Sequence, residues 1–231
     1  MDQASFQRSL SEIGPEIERR RSLAGWKRTL HQRTLRHFAD IGRAPDPQTF
    51  QEWAAAVQVY ANFALATLVG DDVVEADLGT GQILGAYPFA AQPRGYRVDR
   101  EGQCALEAYC AADALGIAAL LNRDVTVTAT DPYDATAVRV HVRDGQVVSQ
   151  PPDAVIGIPA DAATDDGSHE PAGETICPAV SFYASAANVR AYGEATRRAL
   201  EVLTLPQALL LATVVFGGLL DPAPEMDLRR S

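Results

Sequence analysis

Four short segments in the second half of the chain alternate apolar and polar residues, a pattern typical of half-buried β-strands. They are "DVTVTAT", "AVRVHV", "QVVS" and "AVIGI", and Asp144-Gly145 predicts a tight turn between the second and third. "TICPAVSFYAS" predicts a further strand, whereas helices are predicted over 105–121 and from about residue 187 to Leu220. The pattern therefore predicts an α+β fold in which helices pack on a small mixed β-sheet.

The first third of the chain is predicted to form a module of its own. Apolar residues recur at helical spacing between Leu23 and Ile41, and Thr49 with Glu52 predicts a capping box for the next helix. "DVVEADLGTGQILGAY" then predicts a β-hairpin that turns at its two glycines. Helices followed by a hairpin are typical of a winged-helix-like module, which we assign to residues 1–85, leaving 86–231 as a second domain.

The charge and hydropathy of the chain restrict its expected binding partners and its expected cellular compartment. The net charge of −10 over 231 residues argues against nucleic acid as the main partner, because phosphate contacts need a basic surface. The locally basic stretch from Arg19 to Arg43 is therefore interpreted as a solvated helix face. The start of the chain lacks an apolar signal core, and the apolar run from Leu205 to Leu220 is too short to cross a bilayer. We expect a cytoplasmic protein with no membrane partner.

The three cysteines, Cys104, Cys110 and Cys177, do not form a recognisable framework. Their odd number argues against a set of disulfides, and their spacing contains no paired Cys-x-x-Cys motif for zinc. The plainest interpretation is that all three are small buried apolar side chains.

The segment "EAYCAADALG" puts Cys110 and Asp113 on one face of the helix predicted over 105–121, and that face is otherwise apolar. Burial of a carboxylate there raises its pKa, so Asp113 is a candidate general acid and, when ionised, a base for the neighbouring thiol. The spacing equally allows an aspartate that only caps loop amides, and the residues alone leave these two alternatives open.

Three segments together, "GAYPF", "AYCAADALGI" and "TICPAVSFYAS", resemble the organomercurial (alkylmercury) lyases over residues 49–220. In that family a cysteine precedes an aspartate by three positions on a helix, and a second cysteine lies downstream, before an aromatic-rich strand that ends in Ala-Ser. Cys110 and Asp113 match the first motif. Cys177, followed by Phe182, Ala184 and Ser185, matches the second. The family also carries a winged-helix-like module at its N-terminus.

This chain departs from the family pattern at two positions. Pro178 follows the second cysteine, where some members carry another cysteine, and Cys104 is an additional thiol to which we assign no role.

The resemblance implies an enzyme that cleaves a carbon–mercury bond by protonolysis, giving a hydrocarbon and Hg(II). Cys110 and Cys177 then hold mercury transiently as thiolates, the soft ligands that suit this metal, and Asp113 carries the proton to carbon. No organic cofactor is implied, and small-molecule thiols or a mercuric reductase are the implied acceptors of Hg(II). We expect the two sulfur atoms to lie within about 7 Å of each other, or within reach of a mobile segment.

Two alternatives stay open at this stage. The chain is a non-catalytic winged-helix regulator that senses a soft metal through the same cysteines, or a relative that uses its thiols on another substrate. A regulator shifts a DNA fragment in a metal-dependent way and releases no hydrocarbon.

Overall fold

Four helices precede the sheet in the computed structural model, which describes residues 14–160 and 172–222. They are α1 (Gly14–Arg21), α2 (Gly25–Ile41), α3 (Pro47–Ala56) and α4 (Ala61–Gly70). Helix α2 ends as its sequence predicts: Gly42 adopts a left-handed φ of 77° and its N–H bonds the Phe38 carbonyl.

The capping box predicted at Thr49 and Glu52 is wrong. Helix α3 begins three residues earlier than predicted, at Pro47, and the Asp46 carboxylate caps it by accepting the Thr49 N–H at 2.7 Å. Proline is well suited to the first helical position because its missing N–H has no partner there anyway. Glu52 instead accepts a hydrogen bond from Gln48, one turn before it.

The predicted hairpin is present and belongs to a larger sheet than expected. Strands β1 (Val74–Asp77) and β2 (Gln82–Ala86) pair antiparallel, and β2 pairs in turn with β3 (Phe89–Ala90). Five more strands complete the sheet: β4 (Arg97–Asp99), β5 (Leu106–Ala108), β6 (Val125–Thr130), β7 (Ala137–Arg143) and β8 (Gln146–Gln150). The eight strands lie in the order β1-β2-β3-β5-β4-β6-β7-β8.

A small mixed sheet is therefore the wrong description, because all strand pairs between described residues are antiparallel. Short turns such as Asp144-Gly145 join neighbouring strands and permit only this direction. Strand β2 also runs across residue 85, so the predicted boundary between two domains falls inside one sheet. The division at 85 and the winged-helix assignment remain predictions.

A second sheet carries the C-terminal part of the chain. Strand β9 (Val155–Pro159) lies between β10 (Ser181–Tyr183) and β11 (Leu200–Thr204), again antiparallel. The helices here are α5 (Ala111–Leu121), α6 (Ala172–Thr175), α7 (Ala186–Thr196) and α8 (Leu205–Phe216).

Two predictions for this region need correction. Strand β11 occupies residues that were predicted to be helical, and only 181–183 of the predicted strand "TICPAVSFYAS" is extended. The loop predicted at "GSHEPAG" lies mostly outside the described residues, and its last two residues belong to α6.

Helix α5 lies at the centre of the hydrophobic core and packs against α8. It is apolar nearly all round and rich in alanine, as expected of a helix with neighbours on every side. At Gly116 the approach is so close that an added Cβ would lie 2.4 Å from the Phe216 ring.

In the part of the chain that the structure describes, no single helix has the length and apolarity to span a membrane, although the bent pair α3 and α4 does when taken together.

This packing predicts opposite effects for two glycine-to-alanine substitutions. Gly116→Ala should lower the free energy of unfolding by about 1–3 kcal/mol, because the methyl group has no room against Phe216. The matched control is Gly70→Ala at the end of α4, where an added Cβ meets nothing within 4 Å. It should leave stability unchanged or raise it by up to about 1 kcal/mol. Urea denaturation of both variants checks this, and equal stabilities would contradict the packing described for α5.

Candidate active site

Cys110 lies at the start of α5, in a position that the sequence did not predict. The helix begins at Ala111, and the preceding residues from Leu106 to Ala108 form β5, so the helix predicted over 105–121 begins six residues too early. Cys110 is the N-cap, with extended backbone angles (φ −150°, ψ −178°), and its sulfur accepts the Asp113 N–H at 3.5 Å. Asp113 therefore lies in the first turn, where the helix dipole favours a negative charge.

Cys177 lies beside Cys110 although it comes from a distant part of the chain. It begins a single 3-10 turn, Cys177–Ala179, that leads into β10, and Pro178 stands at the start of that turn. The Val180 N–H bonds the Cys177 carbonyl at 3.1 Å and closes the turn, while the Val180 carbonyl accepts the Ala111 N–H at 3.2 Å. The first N–H of α5 and the turn that carries Cys177 are thus joined through the backbone.

The structure brings Cys110, Asp113 and Cys177 together. Their ligand atoms all lie within 4.8 Å of one another. The Cys110 thiol donates to Asp113 Oδ2 at 3.0 Å, and the Cys177 thiol donates to the same oxygen at 3.4 Å. The three residues are 3%, 5% and 8% exposed in chain order, so the group is nearly closed to solvent. The arrangement offers two soft sulfur ligands and one carboxyl oxygen within hydrogen-bond reach of both.

Both thiols are held in their protonated form. Burial raises the pKa of the Cys110 thiol, and the nearby Asp113 carboxylate adds to that effect. Contact with the Cys110 thiol, together with burial, raises the pKa of Cys177 well above its usual range. In the free protein at neutral pH the site therefore contains two S–H donors that face the same Asp113 oxygen.

Three tyrosines that the residue patterns did not single out as site residues, two of them buried and Tyr96 half-buried, contact or adjoin the segments that carry the cysteines. Tyr109 precedes Cys110, and its ring packs on that of Tyr87 with centroids 4.8 Å apart. Tyr96 donates to the Val180 carbonyl at 3.3 Å. Burial raises the pKa of Tyr96 to about 12 and the pKa of Tyr87 and Tyr109 further, so all three are neutral. Tyr87 lies in "GAYPF", a segment noted only for its family resemblance.

Cys104 lies outside this group. Its sulfur contacts the Asp40 carbonyl and the Arg100 guanidinium, both at 3.6 Å. These contacts attach the loop before β5 to the end of α2.

Comparison with known proteins gives a family and a fold. The family model described as MerB, alkylmercury lyase, matches residues 89–217. The chain is also similar to a solved structure, the crystal structure of the mercury-bound form of MerB2, with a TM-score of 0.73 and 17% identity. That similarity covers 89% of this chain and 98% of the other, and at this identity it shows a shared fold. No curated protein matches the chain.

The family match favours the lyase prediction over the regulator. It spans more than half of the 231 residues and includes Cys110, Asp113 and Cys177. The chain belongs to the alkylmercury lyase family, the carbon–mercury lyases.

Proposed function

We propose that the protein cleaves organomercurials by protonolysis, with Cys110 and Cys177 as the mercury-binding thiolates and Asp113 as the proton carrier. The observation that carries this proposal is the pair of thiols that donate to one carboxylate oxygen, at 3.0 Å and 3.4 Å, inside a closed site. A structural aspartate that capped loop amides would have no need of two thiol donors.

The proton balance follows from these two hydrogen bonds. The first thiol displaces the leaving group X from RHgX, forms a sulfur–mercury bond, and its proton leaves with X. The second thiol passes its proton to Asp113 as its own sulfur binds mercury. Asp113 then gives that proton to the carbon while the carbon–mercury bond breaks. The products are RH, HX and Hg(II) held by two thiolates, and Asp113 is again a carboxylate.

Burial of the site favours both the activation of the carbon by the two thiolates and the transfer of the proton to it. Two thiolates on one mercury atom push electron density onto the carbon, which makes it more basic. A site nearly closed to solvent strengthens these electrostatic effects because little water screens them. An acid placed within hydrogen-bond reach supplies the proton that bulk water would supply slowly.

The proposal has consequences for partners and compartment. Mercury is substrate and product, and the bis-thiolate product needs an acceptor, for which we propose small-molecule thiols or a mercuric reductase. No organic cofactor enters the scheme. We propose a cytoplasmic location, since a reducing compartment keeps Cys110 and Cys177 as free thiols.

Serine substitutions should distinguish the functional roles of the three cysteines. Cys110→Ser and Cys177→Ser should each lose nearly all hydrocarbon release from phenylmercury, because a hydroxyl is a poor ligand for a soft metal. Cys104→Ser, the control, should stay within about twofold of the wild type, since its sulfur lies outside the site and contacts the Asp40 carbonyl and the Arg100 guanidinium. Benzene release in the presence of excess small thiol is the measurement. Loss of activity in Cys104→Ser would show that the thiols are wrongly assigned.

Asp113→Asn should bind mercury but release little hydrocarbon. The amide keeps the shape of the carboxyl group but cannot carry the proton, and loss of a positioned general acid lowers rates by about 10²–10⁴. Single-turnover benzene release, with mercury uptake measured in the same sample, checks this.

A second buried aspartate provides the control for that substitution. Asp131 is 1% exposed and accepts the N–H groups of Tyr133 and Ala184. Asp131→Asn should lower stability yet leave turnover of the folded protein within a few-fold of the wild type. Turnover near the wild-type value in Asp113→Asn would return Asp113 to a structural role.

The raised thiol pKa values predict the order of alkylation. Iodoacetamide reacts with thiolates, so at pH 7.5 it should modify Cys104 well before Cys110 and Cys177, which are buried and protonated. Since the pKa of both buried thiols is raised above that of an ordinary cysteine, their alkylation should increase as the pH rises beyond about 9. Peptide mass spectrometry at several pH values measures this, and rapid modification of Cys110 at pH 7.5 would contradict the closed, protonated site.

A further inference from the structure

The segment that carries Cys177 is held by hydrogen bonds on both sides of the cysteine. Before it, the Gly173 N–H donates to the Tyr87 hydroxyl at 2.9 Å, and this bond is buried. After it, the Tyr96 hydroxyl contacts the Val180 carbonyl at 3.3 Å and the Ser181 hydroxyl at 2.9 Å. The end after Cys177 has further backbone contacts: the Val180 carbonyl also accepts the Ala111 N–H, and β10 pairs with β9 directly afterwards.

Tyr87 also contacts the segment that carries Cys110. Its ring packs against Tyr109, the residue before Cys110, with centroids 4.8 Å apart. Gly173 lies close to both tyrosines, since an added Cβ there would lie 2.9 Å from the Tyr87 hydroxyl and 3.1 Å from the Tyr109 ring. The Arg20 guanidinium lies 5.2 Å from the Tyr87 ring centroid and supports the ring from α1.

We infer that Tyr87 is a positioning residue that sets the separation of the Cys110 and Cys177 sulfurs for joint binding of mercury. Its hydroxyl holds the Cys177 segment while its ring rests on the Cys110 segment, so one rigid side chain links the two thiols. The inference deepens the proposed function, because it gives the two-thiolate chemistry its geometry.

The physical argument concerns the second sulfur. Mercury bound by one thiolate gains a second ligand only if that sulfur is already nearby, and its effective concentration falls when the segment that carries it loosens. Tyr87→Phe keeps the ring and removes the acceptor for the Gly173 N–H. It should therefore weaken two-thiolate binding of Hg(II) and slow carbon–mercury cleavage, while single-thiolate binding is unchanged.

A double-mutant cycle tests this reading with mercuric chloride as the probe. The dissociation constant for Hg(II), measured by competition with dithiothreitol, is compared in the wild type, Tyr87→Phe, Cys177→Ser and the double variant. Tyr87→Phe should weaken binding by about tenfold when Cys177 is present and by less than about twofold when it is absent. A merely structural tyrosine would change both backgrounds alike or neither, and either result would overturn the inference.

Two further variants make the test specific. Tyr183→Phe is the matched control: it removes another buried hydroxyl, which has no hydrogen-bond partner among the described residues, and should change Hg(II) binding by less than about twofold. If Tyr87→Phe fails to fold, Gly173→Ala perturbs the same contact from its other side and should weaken two-thiolate binding in the same way. Wild-type affinity in Gly173→Ala would overturn the inference.

The cycle distinguishes this inference from the proposed function. A wild type that binds Hg(II) through both thiols but releases no benzene would refute the lyase reaction, while the coupling between Tyr87 and Cys177 would still support positioning. A wild type that binds Hg(II) no more tightly than Cys177→Ser would overturn both.

Discussion

The start of helix α5 is the constraint on which the site depends. A thiol is a weak hydrogen-bond acceptor and a poor substitute for the serine, threonine, aspartate or asparagine that usually cap a helix. Here the first N–H of α5 bonds the Val180 carbonyl instead, and burial of the helix in the core holds it in place. This backbone bond joins the two segments that carry the thiols, so the proximity of Cys110 and Cys177 follows from how α5 begins.

The same helix start explains why a carboxylate is tolerated in the core. Asp113 is 5% exposed, and burying an unpaired charge is strongly unfavourable. Its position in the first turn of α5 and the two thiol donors on Oδ2 offset that penalty. Burial raises the pKa of the Cys110 thiol, contact with that thiol raises the pKa of Cys177, and the carboxylate adds to both effects, so the thiols keep their protons. In the proposed reaction, an incoming mercury atom replaces the thiol protons with a soft cation, so the sulfurs become thiolates despite their raised pKa.

Local patterns predicted local features of this fold, and features that depend on tertiary contacts were missed. The spacing of Cys110 and Asp113 is local, and it put them side by side although the helix begins later than predicted. Residues 106–108 fell within the predicted helix because the short strand β5 joins α5 almost without a break, so the alternation of the strand merges with the helical period. Cys177 could be linked to them only through a family resemblance, since no periodicity relates residues so far apart. Periodicity gave no signal for Tyr87 or Tyr96, because a tyrosine that supports a site looks like any other tyrosine in the sequence; only the resemblance of "GAYPF" included Tyr87.

In the group formed by Cys110, Asp113 and Cys177, sulfur and oxygen have different chemical roles. Sulfur binds the soft metal strongly and oxygen binds the proton strongly, so neither ligand type competes for the other's partner. Because both thiols donate to the same oxygen, whichever sulfur binds mercury second delivers its proton to the atom proposed to protonate the carbon. The neutral tyrosines nearby add no charge to compete for that proton. The order in which the two cysteines bind mercury therefore need not be fixed, because either order leaves the proton on Asp113.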